Sequence, residues 1–450
     1  MCIRDRLYRN GVYLTSDEFR GRREIKRGAL SISVQPAQFL NPFAIGDIPI
    51  RSSGSRSDGT QVLRDLDYVI DNTASMLAFL EARQCLDAET ASWSVPGGVT
   101  LSNLIKFYCA GTPPLQWFSQ VDTNSRELSS RYNLSHLVIR IAGALAGIRV
   151  PPTQYVSLED PRPILHWMED CLSRGKTPYL LTFSTSAVRL AQSAASEGIN
   201  LQGAKISMSG EPSTPARLET VRNSGADALP VMGCVELGHV ADGCLLPKAP
   251  DDMHLMKDLH AVIQPGETGA SGNLPPNALL FSSLRKKSQM ILINLSLGDQ
   301  GTIKTRSCGC PLESLGYDTH IQYIRSFEKL TSGGMSFLDS DIIRILEVEL
   351  PRIFGGGPTD YQLLEEEKED GTPRLRLVVH PRIDPLDTKK AKEIFLKLIG
   401  SGPGAEKLTS LIWRDSSMIT VDRNAPLLTS TGKIQHMHIV RADKKTKPGE

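Results

Sequence analysis

Three cysteines and one histidine in the middle of the chain are of the right types to hold a metal ion. Cys244 and His254 lie close together in the sequence, and Cys308 and Cys310 flank one glycine further downstream. Three thiolates and one imidazole match the ligand number and softness that tetrahedral Zn²⁺ prefers, and a closed set of four ligands indicates a structural role. The spacing is not that of a zinc finger. The alternative, four unrelated residues with Cys308-Gly309-Cys310 a simple turn, therefore stays open.

A loop rich in serine and glycine follows Ile50. Its small hydroxylated residues surround Gly54, so backbone N–H groups and hydroxyls can converge on an oxyanion. Composition alone favours a flexible loop, and the phosphate-binding interpretation depends on the resemblance given below.

Two carboxylates and one lysine are also placed next to glycines. Asp299 lies within Gly298-Asp299-Gln300-Gly301, which predicts a turn that brings backbone close to a ligand. Glu236 follows Gly233, and Lys433 follows Gly432. The ordinary alternatives are a plain turn for Asp299 and a surface hairpin lysine for Lys433.

The elements that carry these residues alternate between strand and helix patterns. Predicted strands span 179–183, 205–208 and 228–232. The helices predicted between them are 186–197, with Thr185 as its cap and Gly198 at its end, and 214–222. This alternation needs a mainly parallel sheet with helices on its faces, in which ligands bind at the carboxyl ends of strands. Ser209-Gly210-Glu211-Pro212 and the segment 232–238 fall at those ends.

The second half of the chain has a different pattern. Predicted strands over 278–282, 290–297 and 302–306 build antiparallel structure, and a small α+β region follows Ile324. The charge run 365–370 is interpreted as a solvated turn.

Composition bounds the function classes. The chain has 450 residues, a net charge of +1 and eight unevenly spaced cysteines. This length predicts two or three domains, and the charge argues against a nucleic-acid or membrane surface. No apolar run is long enough for a membrane span, and the cysteines favour a reducing cytoplasm over a disulfide framework. Residues 1–6 resemble a translated sequencing adapter, so we expect a truncated N-terminus.

Together these motifs resemble the adenylate-forming enzymes, specifically the phenylacetate-CoA ligase branch, over residues 51–434. The resemblance implies an α/β protein. It has a large domain with mostly parallel sheets flanked by helices (residues 1–323) and a small α+β C-terminal lid (residues 324–450). It implies an AMP-forming acid-thiol ligase, which uses ATP and Mg²⁺ to activate a carboxylic acid as an acyl-adenylate. The acyl group then passes to a thiol, that of CoA or of an acyl-carrier or other acyl-accepting protein.

The resemblance also implies roles for individual residues. By this resemblance, the ATP phosphates are bound by Ser52, Ser53, Gly54, Ser55 and Arg56, and the adenine is contacted by the loop of Gly210, Glu211 and Pro212. Gly233 belongs to the nucleotide-binding signature, and Glu236 binds Mg²⁺ and takes part in catalysis. The ribose is contacted by Asp299 and Arg325, the pantetheine arm passes Gly333 and Gly334, and Lys433 is catalytic. Members of this branch carry a similar Cys/His and Cys-x-Cys arrangement, which supports zinc at Cys244, His254, Cys308 and Cys310.

Four positions depart from the family pattern. Asp58 stands where the phosphate-loop lysine is expected, Met232 and Val235 replace a tyrosine and a threonine, and Phe327 occupies the hinge position. These departures favour the alternative of a catalytically degenerate relative that serves as a binding or scaffold protein.

Overall fold

The computed structural model describes most of the chain in two compact units. The described residues are 3–51, 61–94, 97–120, 150–211, 213–266, 274–326, 330–332, 335–337, 339–367, 373–399, 419–428 and 433–440. The described residues of the large unit end at Ser326, and those of the small unit begin at Leu330. Within the described residues, no helix has both the length and the apolar character needed to cross a bilayer.

The strands described in the large unit range from three to eleven residues in length. They are β1 (Ile25–Arg27), β2 (Leu30–Ile32), β3 (Ile48–Arg51), β4 (Gln61–Arg64), β5 (Glu89–Ser94), β6 (Gln116–Ser119), β7 (Thr153–Tyr155), β8 (Pro178–Phe183), β9 (Lys205–Ser209), β10 (Asp227–Cys234), β11 (Gly238–Gly243), β12 (Met253–Leu255), β13 (His260–Ile263), β14 (Ala278–Ser283), β15 (Leu295–Thr305) and β16 (Thr319–Ser326).

The described part of the large unit also contains nine α-helices and one 3₁₀ turn. They are α1 (Ile3–Arg9), α2 (Ser16–Phe19), a 3₁₀ turn (Pro36–Phe39), α3 (Leu66–Asp71), α4 (Thr73–Ala82), α5 (Gly98–Cys109), α6 (Arg162–Ser173), α7 (Ser184–Glu197), α8 (Pro215–Asn223) and α9 (Pro311–Ser314).

Among the described residues, twelve strands form one sheet in the order β13-β14-β15-β16-β12-β11-β10-β9-β8-β5-β6-β7. The half from β10 to β7 is parallel throughout, whereas β10 to β13 pair antiparallel. Strand β10 belongs to both halves, because it pairs parallel with β9 and antiparallel with β11. The predicted α/β class with parallel strands and flanking helices is confirmed.

Local signals fixed the parallel half. Gly198 ends α7 in the left-handed conformation (φ 70°), which costs a glycine little, and Thr214 caps α8 by accepting the N–H of Arg217. Buried side chains of α6, α7 and α8, including Ile164, Leu190 and Leu218, then pack in one core with the strands.

Two predictions in the antiparallel region were wrong. Strand β15 runs unbroken from Leu295 to Thr305, so residues 290–294 lie outside it and Asp299 lies within a strand rather than at a turn. Gly298 adopts φ +95°, and a register shift between Gln300 and Thr302 absorbs the irregularity. The glycines therefore mark a distorted strand, not a hairpin.

The small unit contains a four-stranded sheet in the order β21-β20-β19-β22, and a separate two-stranded pair. Its elements are β17 (Leu330–Ser332), β18 (Met335–Phe337), α10 (Asp339–Arg344), a π-helical turn (Ile345–Glu349), α11 (Leu350–Phe354), β19 (Tyr361–Glu367), β20 (Pro373–Val379), α12 (Thr388–Ile399), β21 (Ile419–Arg423) and β22 (Met437–Val440). The predicted turn over 365–370 was wrong for residues 365–367, which continue β19 and pair with β20.

Candidate functional site

The predicted metal ligands converge within the large unit. The Nε2 atom of His254 lies 3.3 Å from Sγ of Cys310 and 4.0 Å from Sγ of Cys308, and the two sulfurs are 3.2 Å apart. Two sulfurs bound to one tetrahedral Zn²⁺ would be about 3.8 Å apart, and a sulfur and a nitrogen about 3.5 Å. Cys244 is also part of the cluster, since its sulfur lies within 4.8 Å of the donor atoms of His254 and Cys308. These side chains therefore fit a zinc ion.

A second histidine, which the sequence reasoning missed, completes the cluster. His320 lies directly opposite His254 in the β12–β16 pair, and its donor atom is within the same 4.8 Å group. Its Nε2 is buried and has no hydrogen-bond partner among the described residues, and its Nδ1 lies 2.8 Å from Oδ1 of Asp252. Histidines that bind metals are commonly oriented by a carboxylate that accepts a hydrogen bond from the other ring nitrogen. The 4.8 Å group thus offers four donors, the thiols of Cys244 and Cys308 and the imidazoles of His254 and His320. Cys310 contacts His254 and Cys308 but is not part of that group.

The residues around the cluster hold its donors in place. Nδ1 of His254 lies 2.7 Å from the carbonyl of Tyr317, which leaves Nε2 free for a metal. The carboxylate of Glu313 accepts the N–H groups of Cys308 and Gly309 at 3.0 and 2.8 Å and so fixes the Cys308–Cys310 turn. The guanidinium of Arg306 lies 3.7 Å from Sγ of Cys244. Its charge would offset the excess negative charge of three thiolates around a divalent ion.

Burial shifts the pKa values of Cys244 and His254 so that both side chains stay neutral near pH 7 while no metal is bound. It raises the pKa of Cys244 to about 12, and burial together with the neighbouring His320 lowers the pKa of His254 to about 4. A metal that binds here must displace the thiol protons, which couples its affinity to pH.

The predicted nucleotide residues of the parallel half lie at the carboxyl edge of adjacent strands. Gly210 and Glu211 follow β9, and Glu236 lies in the tight turn between β10 and β11. Glu236 is buried and pairs with no basic side chain in the described part of the chain. An unpaired buried carboxylate at this edge suits a hard cation such as Mg²⁺.

Glu211 has a structural partner at this edge. Its carboxylate accepts the backbone N–H and the hydroxyl of Thr185, each at 2.7 Å, at the start of α7. This bond fixes the loop after β9 to the helix that follows β8. Gly233 is exposed on β10, whereas Pro212 lies outside the described residues.

Asp299 and Arg325 lie on neighbouring strands. Asp299 pairs with Ser326 across β15 and β16, and Gln300 pairs with Arg325. Nη1 of Arg325 lies 3.3 Å from Oδ2 of Asp251, and the same carboxylate accepts the N–H groups of Tyr323 and Ile324. Asp251, which the sequence reasoning did not single out, therefore orients the end of β16.

The remaining predicted residues fall in the small unit or outside the described residues. Lys433 is half-buried in the small unit, next to the bridge between Leu428 and Ile434. Ser52, Ser53, Gly54, Ser55, Arg56, Gly333 and Gly334 lie outside the described residues.

Comparisons with known proteins identify the fold. Neither a family model nor a curated protein matches this sequence. A crystal structure of 2-hydroxyisobutyryl-CoA ligase in the postadenylation state with 2-HIB-AMP has a TM-score of 0.54 and 11% identity, over 96% of this chain and 80% of that chain. The same ligase with R3-HIB-AMP has a TM-score of 0.50 and 11% identity, over 86% and 72%. The adenylate-forming fold is therefore confirmed, whereas the phenylacetate-CoA ligase branch stays a prediction.

Proposed function

We propose that this chain activates a carboxylic acid with ATP and then transfers the acyl group to the thiol of CoA. The observation that carries the proposal is the position of two loops on an adenylate-forming fold. The Gly210–Glu211 loop and the Glu236 turn lie at the carboxyl edge of adjacent parallel strands. Ligands of open α/β sheets bind at that edge. The 2-hydroxyisobutyryl-CoA ligase that shares the fold was crystallised after adenylation, with an acyl-AMP.

The reaction has two steps. In the first, an oxygen of the substrate carboxylate attacks the α-phosphorus of ATP, and the bond to pyrophosphate breaks. In the second, the thiolate of CoA attacks the acyl carbon, and AMP leaves. Each step moves negative charge onto oxygens that oriented cations and N–H groups can stabilise.

We assign the residues of the first step as follows. Glu236 would hold Mg²⁺, which would supply positive charge to the phosphates, and Asp299 would accept hydrogen bonds from the ribose hydroxyls. Arg325 contacts the ribose, Ser52 to Arg56 bind the phosphates, and Lys433 contacts the α-phosphate and the acyl carboxylate. In the second step, Gly333 and Gly334 give the pantetheine arm room to pass.

The zinc site is a separate part of the proposal. We assign Cys244, His254, Cys308 and Cys310 as ligands, with His320 as a further donor. A shared ion would join the loop after β11 to the turn after β15, and so stabilise the antiparallel half of the sheet. All cysteines in the described part of the chain are free thiols, in keeping with the reducing cytoplasm that we propose.

Within the enzyme class, the alternative to CoA is a protein or carrier thiol. A second candidate function, from a different class, is a non-catalytic relative that binds acyl or nucleotide ligands or serves as a scaffold. Asp58, Val235 and Phe327 favour it, because each replaces a residue type that the family uses for phosphate binding or hinge motion. Calorimetric titration with ATP and Mg²⁺ distinguishes a scaffold from an enzyme, since a scaffold has no need to bind the nucleotide.

Pyrophosphate exchange with a panel of aryl and fatty acids tests the first step. For Lys433→Ala we expect exchange to fall by about a hundredfold or more, as for the loss of one oriented charge donor. Transfer from a preformed acyl-adenylate to CoA should survive, and exposed Lys390→Ala is the matched control. Equal loss of both steps would contradict the role of Lys433, and no exchange with any acid would contradict the function.

A further inference from the structure

A buried glutamine of the small unit binds the chain on both sides of Lys433. Gln362, on β19, is completely buried. Its Oε1 accepts the N–H of Leu427 at 2.6 Å, and its Nε2 donates to the carbonyls of Leu427 and Gln435 at 3.0 and 2.8 Å. One side chain therefore fixes the backbone both before and after Lys433.

The amide group of a glutamine is suited to this position. Its oxygen accepts and its NH₂ group donates twice, so one orientation of the amide satisfies all three bonds. The side chains of Leu427 and Leu428 are 39% and 46% exposed, so their burial contributes little to holding this part of the chain. The bonds to Gln362 and the bridge between Leu428 and Ile434 hold it instead.

A second buried contact holds the chain just after Lys433. His436 and Glu347 are both buried, and Nε2 of His436 lies 2.5 Å from Oε1 of Glu347. The carbonyl of His436 also accepts the N–H of Leu363 on β19 at 2.9 Å. Glu347 lies in the π-helical turn Ile345–Glu349. Such turns are rare and frequently occur at functional sites, and burying polar groups costs free energy, so a role beyond packing explains both features.

We propose that Gln362 and Glu347 are positioning residues, which hold the chain around Lys433 so that its ammonium is delivered to one defined place in the first step. This inference rests on the proposed function. An oriented charge stabilises a transition state only where the negative charge develops, and a misplacement of about 1 Å can cost about a hundredfold in rate. Gln362 and Glu347 therefore act through Lys433, without contacting the substrate themselves.

The two steps of the reaction, measured separately, test the positioning role. Gln362→Met keeps a similar side-chain length and removes the three hydrogen bonds. We expect it to lower the kcat of pyrophosphate exchange by about tenfold to a hundredfold and to leave the KM for ATP unchanged. Transfer from a preformed acyl-adenylate to CoA should survive. Glu347→Leu should act in the same direction, Glu347→Gln keeps an acceptor for His436 and should retain exchange, and exposed Glu393→Leu on α12 is the matched control.

A double-mutant cycle distinguishes positioning from a general loss of structure. If Gln362 acts through Lys433, Gln362→Met should lower pyrophosphate exchange no further once Lys433→Ala is present. Losses that multiply would overturn the proposal. Normal exchange in both Gln362→Met and Glu347→Leu, or equal loss of exchange and transfer, would overturn it as well. Should Gln362→Met fail to fold, Glu347→Leu is taken through the same cycle, with Glu347→Gln as its rescue.

Deuterium uptake, measured by mass spectrometry, tests the same contacts without any need for catalysis. In Gln362→Met, uptake should increase in peptides that contain Leu427, whose N–H loses its acceptor, and stay unchanged in peptides from α12. Unchanged uptake at Leu427 would overturn the proposal. If the wild-type protein exchanges pyrophosphate with no acid while uptake at Leu427 still depends on Gln362, the structural role of Gln362 stands and the ligase function falls.

Discussion

The free energy of unfolding should depend on pH through Lys106. Burial and the charge of Arg64 lower its pKa from 10.5 to about 7 in the native state, against the weaker opposing effect of Asp242. Between these two values the unfolded chain binds more protons than the native chain. Stability therefore rises with pH across this window, and the cost of the buried lysine is greatest below pH 7.

The size of this effect follows from the two pKa values. The decrease of the pKa from 10.5 to about 7 corresponds to a destabilisation of the native state by about 5 kcal/mol, at about 1.4 kcal/mol per pH unit. At pH 7 this destabilisation is about 4 kcal/mol. Lys106→Met keeps a similar side-chain volume and removes the charge. We expect it to stabilise the protein by about 4 kcal/mol at pH 7 and by about 1 kcal/mol at pH 10.

Urea unfolding at the two pH values measures the difference between wild type and variant. Lys176→Met, at an exposed lysine, controls for the change of residue type. A difference that is the same at pH 7 and pH 10, or a destabilised variant at pH 7, would refute the reasoning.

Two further substitutions test the other buried groups. Cys308→Ser should release stoichiometric zinc, measured by elemental analysis, and lower the melting temperature. Cys109→Ser, which removes an exposed thiol, should change neither the zinc content nor the melting temperature. Wild-type protein without zinc would contradict the metal site. Burial acts to raise the pKa of Asp242, but Arg83 and His239 outweigh it and hold the pKa well below its usual range. Asp242→Asn should therefore destabilise the protein by about 3 to 5 kcal/mol in urea unfolding, because it leaves a buried guanidinium uncompensated; a loss below about 1 kcal/mol would contradict this.

The parallel half of the sheet could be predicted because its signals are local. A strand, a capped helix and a terminating glycine occur within a few residues of each other, as at Gly198 and Thr214. The antiparallel half depends on pairing between distant strands. The prediction of a turn at Asp299 failed because the register of β15 against β16 decides whether Gly298 bends or continues a strand.

The same limit applies to the candidate site. The chemistry of Cys308 and Cys310 can be read from their spacing, but His320 joins the cluster only through the pairing of β12 with β16. Arg64 and Lys106 look like ordinary surface charges in the sequence. Their burial depends on how α5 packs on β3, and no local pattern indicates it.

Two adjacent carboxylates connect the metal cluster to the predicted nucleotide residues. Asp252 holds Nδ1 of His320 and pairs with Arg306, which contacts Cys244. Asp251 binds the backbone of β16 and Arg325. Asp251 and Asp252 are adjacent in one loop, and one contacts Arg325 while the other contacts the metal cluster. The position of Arg325 therefore depends on how well this loop is ordered, and a metal ion in the cluster would order it. A metal ion in the proposed site would therefore be coupled to Arg325 through these two carboxylates, without contacting Arg325 itself.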